Sequence, residues 1–172
     1  SSETASSSAT WGRWWRGKAR TRAETALSEI EAESGGDDMI EITEQPLSPE
    51  RVIDKVRSSD CGCVVTYVGL IRGTSEGKPV LSVEYRDPGG EARAQLQKIA
   101  DEAAQKWPIG RMAISHRIGK LSVGDINLVI AVGSAHRQEG FNASQYAVDQ
   151  FKLRLPTRKR ETYRDGSVLD HA

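Results

Sequence analysis

The sequence predicts an α+β domain, a mainly antiparallel sheet with packed helices, preceded by a flexible N-terminal tail. Strand-like and helix-like stretches follow one another as β-α-β-β-α-β-β-α, the plan of helices packed on an antiparallel sheet. Within them the apolar positions recur at period 2 in some stretches and at helical spacing in others. Residues 1–38 are polar and low in complexity instead.

The tail opens on SSETASSSAT and closes on SGGDD at 34–38, an acidic, flexible linker. Between them, Trp11, Trp14 and Trp15 sit among arginines before the segment turns acidic. Such a Trp/Arg cluster can touch a membrane surface or stack on nucleic acid. A disordered or weakly helical extension needs fewer assumptions.

The domain spans 39–172. IEITEQ alternates apolar and polar residues as a half-buried strand does. Ser48 then offers an N-cap and Pro49 the first helical position, with Val52, Ile53 and Val56 on one face. CGCVVTYVGLIR at 61–72 reads as a central strand, and Gly69 within it marks a bulge or a close approach. GTSEGK is a turn and VLSVEY at 80–85 the next strand, so residues 64–85 are expected to form a hairpin.

EARAQLQKIADEAAQKW at 91–107 puts Leu96, Ile99, Ala103 and Trp107 on one helical stripe, ended by Pro108 and Gly110. RMAISHRIG and DINLVIAVGS are two further strands joined by KLSVG. A helix from Gln138 to Leu155 follows, with Phe141, Val148, Phe151 and Leu155 facing inward, and Pro156 breaks it. The remaining ETYRDGSVLDHA holds a short strand and a turn at Asp165-Gly166.

Composition narrows the function. The 172-residue length suits one domain with an appendage. Lysine plus arginine equal aspartate plus glutamate at 24 each, which argues against coating nucleic acid through bulk charge. Cys61 and Cys63 point to opposite faces if extended, and no second Cys/His cluster completes a metal site. Free, partly buried cysteines in a reducing cytoplasm are expected, with no metal and no bound cofactor. No apolar run approaches the roughly 20 residues of a membrane span.

The chemistry concentrates in Ser134–Glu161, SAHRQEGFNASQYAVDQFKLRLPTRKRE. His116, in a strand-like ISHRIG, suits a satisfied core histidine better than a catalyst. His136 falls where a strand ends and a helix starts, a common place for sites. Arg72 ends the glycine-containing strand and is either a surface residue or a clamp on phosphate or carboxylate. Lys152 and Lys159 straddle Pro156, and a loop after the break can fold the second toward the first. Crowded by Arg137, Arg158 and Arg160, such a lysine would lose proton affinity and serve as nucleophile, proton carrier or anion holder. A solvated basic face is the plainer alternative.

Taken in order, YVGLIR, VEY, KWP, SHRIGKLSVGD, SAHRQEGFNA, VDQFK and LPTRKRETYRDG resemble the large, catalytic subunit family of molybdopterin synthase (MoaE-like) over about residues 40–166. The resemblance implies an α/β hammerhead fold and a homodimer within a heterotetramer. It also implies a small ubiquitin-like sulfur-carrier subunit whose C-terminal Gly-Gly thiocarboxylate reaches the pocket. Two sulfur transfers would convert cyclic pyranopterin monophosphate (precursor Z) into the molybdopterin dithiolene, in the cytoplasm. By the same resemblance, Leu70, Ile71 and Arg72 match a first substrate-binding segment and His136 with Arg137 an anion-binding pair. Lys152 matches the essential lysine, and Lys159, Arg160 and Glu161 the closing segment with the second lysine. Arg72, His136 and Arg137 would hold the phosphate, Lys152 would polarise the thiocarboxylate or shuttle protons, and Lys159 would orient the donor tail.

Three places depart from the family pattern. Pro156-Thr157-Arg158-Lys159 stands where Pro-Ile-Trp-Lys is usual, which bears on the pocket wall. Arg86-Asp87-Pro88-Gly89-Gly90 forms a turn where Glu-Ala-Tyr is usual, and an aromatic is missing near Val168. A catalytically altered relative, acting as a binding or scaffold module for a ubiquitin-like partner, is the alternative reading. A nucleic-acid binder using the Trp/Arg tail and the basic patch at 152–160 is a third, weakened by the zero net charge.

Overall fold

The computed structural model describes residues 38–154 and 157–171, so the reading of the tail and the inward placing of Leu155 and the break at Pro156 lie outside the described residues. Residues from Asp38 onward cluster as one unit. In chain order the elements are β1 Ile40–Thr43, α1 Pro49–Val56, β2 Cys63–Leu70, β3 Thr74–Ser75, β4 Lys78–Arg86 and α2 Ala92–Lys106. They continue with β5 Arg111–Arg117, β6 Gly119–Ser122, β7 Ile126–Ser134, α3 Arg137–Leu153, β8 Arg158–Tyr163 and β9 Val168–His171.

Two sheets result. The first has the order β1-β5-β7-β2, antiparallel except for the parallel β1–β5 pair. Helices cover both of its faces. Leu96 and Ile99 of α2 and Ala143, Ala147 and Phe151 of α3 pack with Ile114, Ile130 and Val132 on one side. Val52 and Val56 of α1 meet Ala113, Val129 and Ala131 on the other. Burial on both faces explains why β7, INLVIAVGS, is a continuous apolar run rather than an alternating one.

The second sheet has the order β3-β4-β8-β9, with β6 also paired to β4. Its core is smaller: Ile71, Val80, Val83, Tyr85, Leu121 and Tyr163. The sheets meet where β2 ends. A register shift falls at Gly69/Leu70, as the strand glycine led one to expect. Beyond it, the Ile71 amide donates to Asp125 O (3.0 Å), and the Ile71 side chain enters the second core.

The hairpin expected over 64–85 is therefore not formed. β2 pairs with β7, whereas β4 pairs with β3, β6 and β8. The local hairpin is β3–β4, turned by Glu76 and Gly77 at φ 51° and 73°, the double positive φ of a two-residue loop. The joining KLSVG contains a strand, β6, whose buried anchor is Leu121. TRKRE is likewise a strand beginning at Arg158, not a loop.

Helix starts follow local chemistry. The Ser48 side chain accepts from the Arg51 amide at 3.4 Å, capping α1 as expected. The Asp87 carboxylate accepts from the amides of Glu91 (3.1 Å) and Ala92 (3.3 Å), so the unusual Asp87-Pro88-Gly89-Gly90 turn caps α2. In α3 the inward stripe is Gly140, Ala143, Ser144, Ala147 and Phe151. Phe141, expected inside, is exposed, because the small residues one position round let the helix lie close on the sheet. Cys61 and Cys63 are free and half-buried. Among the described residues no helix is long and apolar enough to cross a membrane, and no His/Cys/Asp/Glu group is placed to hold a metal.

Candidate active site

A cavity of about 690 Å³ opens where the two sheets and the C-terminal end of α3 meet. Six segments distant in sequence line it. β2 gives Tyr67, Gly69 and Leu70, the following turn gives Arg72, and β4 gives Tyr85. β7 gives Asn127 and Leu128, and α3 gives Phe151, Lys152 and Leu153. Thr157, Lys159 of β8 and His171 of β9 close the far side.

Three of the expected cations converge here. Arg72 and Lys152 are exposed and make no salt bridge with a described residue, which leaves their charge available to an anion. Lys152 stands on the last turn of α3. Lys159 is placed differently from expectation. Alternation along β8 sends Arg158 and Arg160 to the opposite face, so the crowding by arginines is absent. Lys159 Nζ instead donates to Glu161 Oε1 at 2.6 Å.

Glu161 is 3% exposed and well satisfied. Its Oε2 accepts from the Tyr163 hydroxyl (2.7 Å) and from Ser75 Oγ (2.9 Å), with His171 Nε2 at 3.5 Å. Burial opposes its charge, yet the hydrogen bonds from Lys159, Tyr163 and Ser75 prevail and bring the carboxyl down to about 2. A smaller hollow of about 70 Å³ joins this group to the main cavity through Arg72, Tyr85 and Lys159. Glu161 acts there as a fixed counter-charge that orients Lys159.

The other expected site residues divide. Leu70 is 57% exposed and lines the cavity wall, while Ile71 is buried in the second core and anchors the turn that presents Arg72. Arg160 faces a separate groove of about 570 Å³, where its guanidinium grips Asp170 at 2.6 and 3.0 Å. His136 and Arg137 do not reach the cavity. They are exposed at the start of α3, and 15 residues of helix separate Arg137 from Lys152, about 22 Å.

Beneath the cavity lies His116, fully buried. Its Nδ1 donates to the Asn127 carbonyl at 2.8 Å, so Nε2 carries the lone pair and accepts from Thr157 Oγ1 at 3.3 Å. Tyr85 and Phe151 meet it edge to face, each at 5.0 Å between centroids. Burial pushes its pKa down to about 4, which makes it the satisfied core histidine that its strand context suggested. Thr157 and Arg158, the departures from the family pattern, part company. Thr157 is buried at the cavity and bonded to His116, whereas Arg158 lines only the outer groove.

Sequence reasoning passed over Tyr67, Tyr85, Asn127 and His171. A signal existed for two of them. Tyr67 is two residues from Gly69 and shares its face of β2, and Asn127 is the polar exception in an apolar strand.

Comparison with known proteins gives one consistent answer. The family model described as "MoaE protein" matches residues 42–154. The "Molybdopterin synthase catalytic subunit" of Halalkalibacterium halodurans is 37% identical over 127 residues, covering 74% of this chain and 81% of that one. The protein of the same description from Homo sapiens is 37% identical over 138 residues, 80% of this chain and 73% of that one. Among solved structures, molybdopterin synthase from Staphylococcus aureus superposes with a TM-score of 0.73 at 31% identity, covering 78% of this chain and 98% of that one.

Proposed function

The chain belongs to the MoaE family, catalytic subunits of molybdopterin synthase in molybdenum cofactor biosynthesis, and from that premise we propose that its 690 Å³ cavity is where sulfur is transferred. The donor is the C-terminal Gly-Gly thiocarboxylate of a small ubiquitin-like subunit, and the acceptor is cyclic pyranopterin monophosphate. One observation carries this reading. Arg72, Lys152 and Lys159, from three elements remote in sequence, converge on one cavity.

The chemistry calls for that convergence. A phosphate and a thiocarboxylate are both anions, and bringing them together in water costs repulsion that fixed cations offset. Arg72 presents a forked donor suited to phosphate. Lys152, exposed on the last turn of α3, polarises the thiocarboxylate carbonyl or carries a proton as charge develops on it. Lys159, held by Glu161, orients the donor tail. Glu161 and Ile71 support these groups from behind, and Leu70 forms apolar wall.

His136 and Arg137 enter through the homodimer. Within one chain they lie about 22 Å from Lys152, too far to share one small ligand. In a two-fold dimer the same pair of a second copy can complete the anion site, with Arg160 left to bind at the outer groove.

Lys152→Ala tests the assignment. In a reconstituted assay with thiocarboxylated small subunit and cyclic pyranopterin monophosphate, the variant is expected to form the complex and to yield no dithiolene. Normal turnover by that variant would sink the assignment. Complex formation without product by the unaltered chain would favour a scaffold in its place.

A further inference from the structure

The cavity lining mixes two chemistries. Beside its cations, Arg72, Lys152 and Lys159, stand two neutral polar side chains, Tyr85 and Asn127, with the His116 ring against Tyr85. We propose that these neutral groups read the substrate's pterin heterocycle, with the Tyr85 hydroxyl donating a hydrogen bond to one of its ring acceptors. The proposal rests on the cavity being the site of sulfur transfer.

The direction of one hydrogen bond carries the inference. Asn127 Nδ2 donates to the Tyr85 hydroxyl at 3.1 Å, so the phenolic oxygen is already an acceptor. Its own proton meets no acceptor among the described residues, although Tyr85 is only 5% exposed and borders the cavity. A hydroxyl that already accepts on one side keeps its proton for a partner on the other, and a ligand atom in the cavity that Tyr85 borders can accept it. Burial also lifts the hydroxyl above its ordinary 10.0, and nearby Glu161 adds to this against the Asn127 bond. The group therefore keeps its proton across the working range.

The donor is also held in place. Tyr85 meets His116 edge to face, and the Nδ1 proton of His116 is fixed by the carbonyl of Asn127, the same residue whose amide holds the hydroxyl. Strand pairing adds to this, since Tyr85 sits between Gly119 of β6 and Lys159 of β8. A rigid neutral donor beside a cationic rim separates two tasks: charge binds the phosphate, and direction selects the ring.

Two ligands and two variants test this on the full chain. Dissociation constants are measured for cyclic pyranopterin monophosphate, with inorganic phosphate as competitor. Tyr85→Phe keeps the ring and removes the donor. It is expected to weaken the pterin ligand about tenfold, the loss of one ligand hydrogen bond, and to leave phosphate inhibition unchanged. Arg72→Ala should weaken both. Asn127→Ala, which frees the hydroxyl without removing it, should weaken the pterin ligand alone and by less, and it carries the test if Tyr85→Phe fails to fold. Equal pterin affinity in Tyr85→Phe and the unaltered chain, with Arg72→Ala impaired, would overturn the role of Tyr85. So would an equal loss for both ligands in Tyr85→Phe. If Lys152→Ala and Arg72→Ala both bind normally, the cavity is not the site and the functional reading itself fails.

Discussion

His116 ties the stability of the domain to pH. In the folded chain a second ring proton is disfavoured, because the ring is fully buried and a charge there would be stripped of water, while Nδ1 is already held by Asn127 O. Burial holds its pKa at about 4, against an ordinary 6.5. Between those values the unfolded chain binds a proton that the folded chain does not, so stability rises with pH across that window. Acidification from 6.5 to 4 should thus remove on the order of 3 kcal/mol, read as a falling denaturation midpoint. Glu161, brought down to about 2 from 4.5, acts in a lower window: its contribution is present above 4.5 and is lost as pH falls toward 2. A denaturation midpoint that stays level from pH 6.5 to 4 would contradict the buried neutral histidine. At this scale the sequence was informative about His116, whose apolar strand neighbours imply burial, but not about Lys159. Its nearest charge in the fold is Glu161, two residues on along the same strand face, a relation that only the strand register of β8 reveals.

Elements differ in how far local pattern determines them. α1 and α2 were legible because their signals are local: a Ser48-Pro49 start, a stripe of Leu96, Ile99 and Ala103, and a Pro108 stop. The partners of β2 and β4 were not. Adjacent strands suggested a hairpin, yet Ile71 is drawn into the second core, and pairing over many residues decides the topology. β6 escaped notice because four residues with a single buried leucine carry too little periodicity to be seen. Phe141 misled for another reason. Large apolar residues dominate any reading of a stripe, but α3 packs through Gly140, Ala143 and Ala147, and Phe141 lies about 100° round from Gly140. The turn before α2 affords a direct test. Asp87 accepts two amides at the start of that helix, so Asp87→Ala should lower stability by about 1 kcal/mol. Because Asp87 does not line the cavity, dithiolene formation at a temperature well below the melting midpoint should be unchanged.

At the scale of the whole molecule, the cavity is assembled from both sheets and the end of one helix, so it exists only when the first and second cores are both formed. Motif order in the sequence picks out a set of residues that the fold distributes between two regions of the chain. His136–Arg137 and Lys152 share α3, and the rigidity of that helix is what keeps them apart. If the homodimer joins the pair from one copy to the lysine of the other, the two defects must complement. Lys152→Ala chains mixed with Arg137→Ala chains would form heterodimers in which one site carries both changes and the other carries neither. With random pairing of subunits during refolding, half the dimers are mixed and each has one intact site, so about a quarter of full activity should return from two inactive preparations. If each chain used its own His136–Arg137 pair, every site in the mixture would hold one defect and none would recover. The measurement is dithiolene formation after unfolding and refolding the two variants together, compared with the same variants refolded apart and then combined. Recovery confined to the co-refolded sample is the expected result, and its absence, with mixed dimers verified by mass, would return the anion pair to a role outside the sulfur-transfer site.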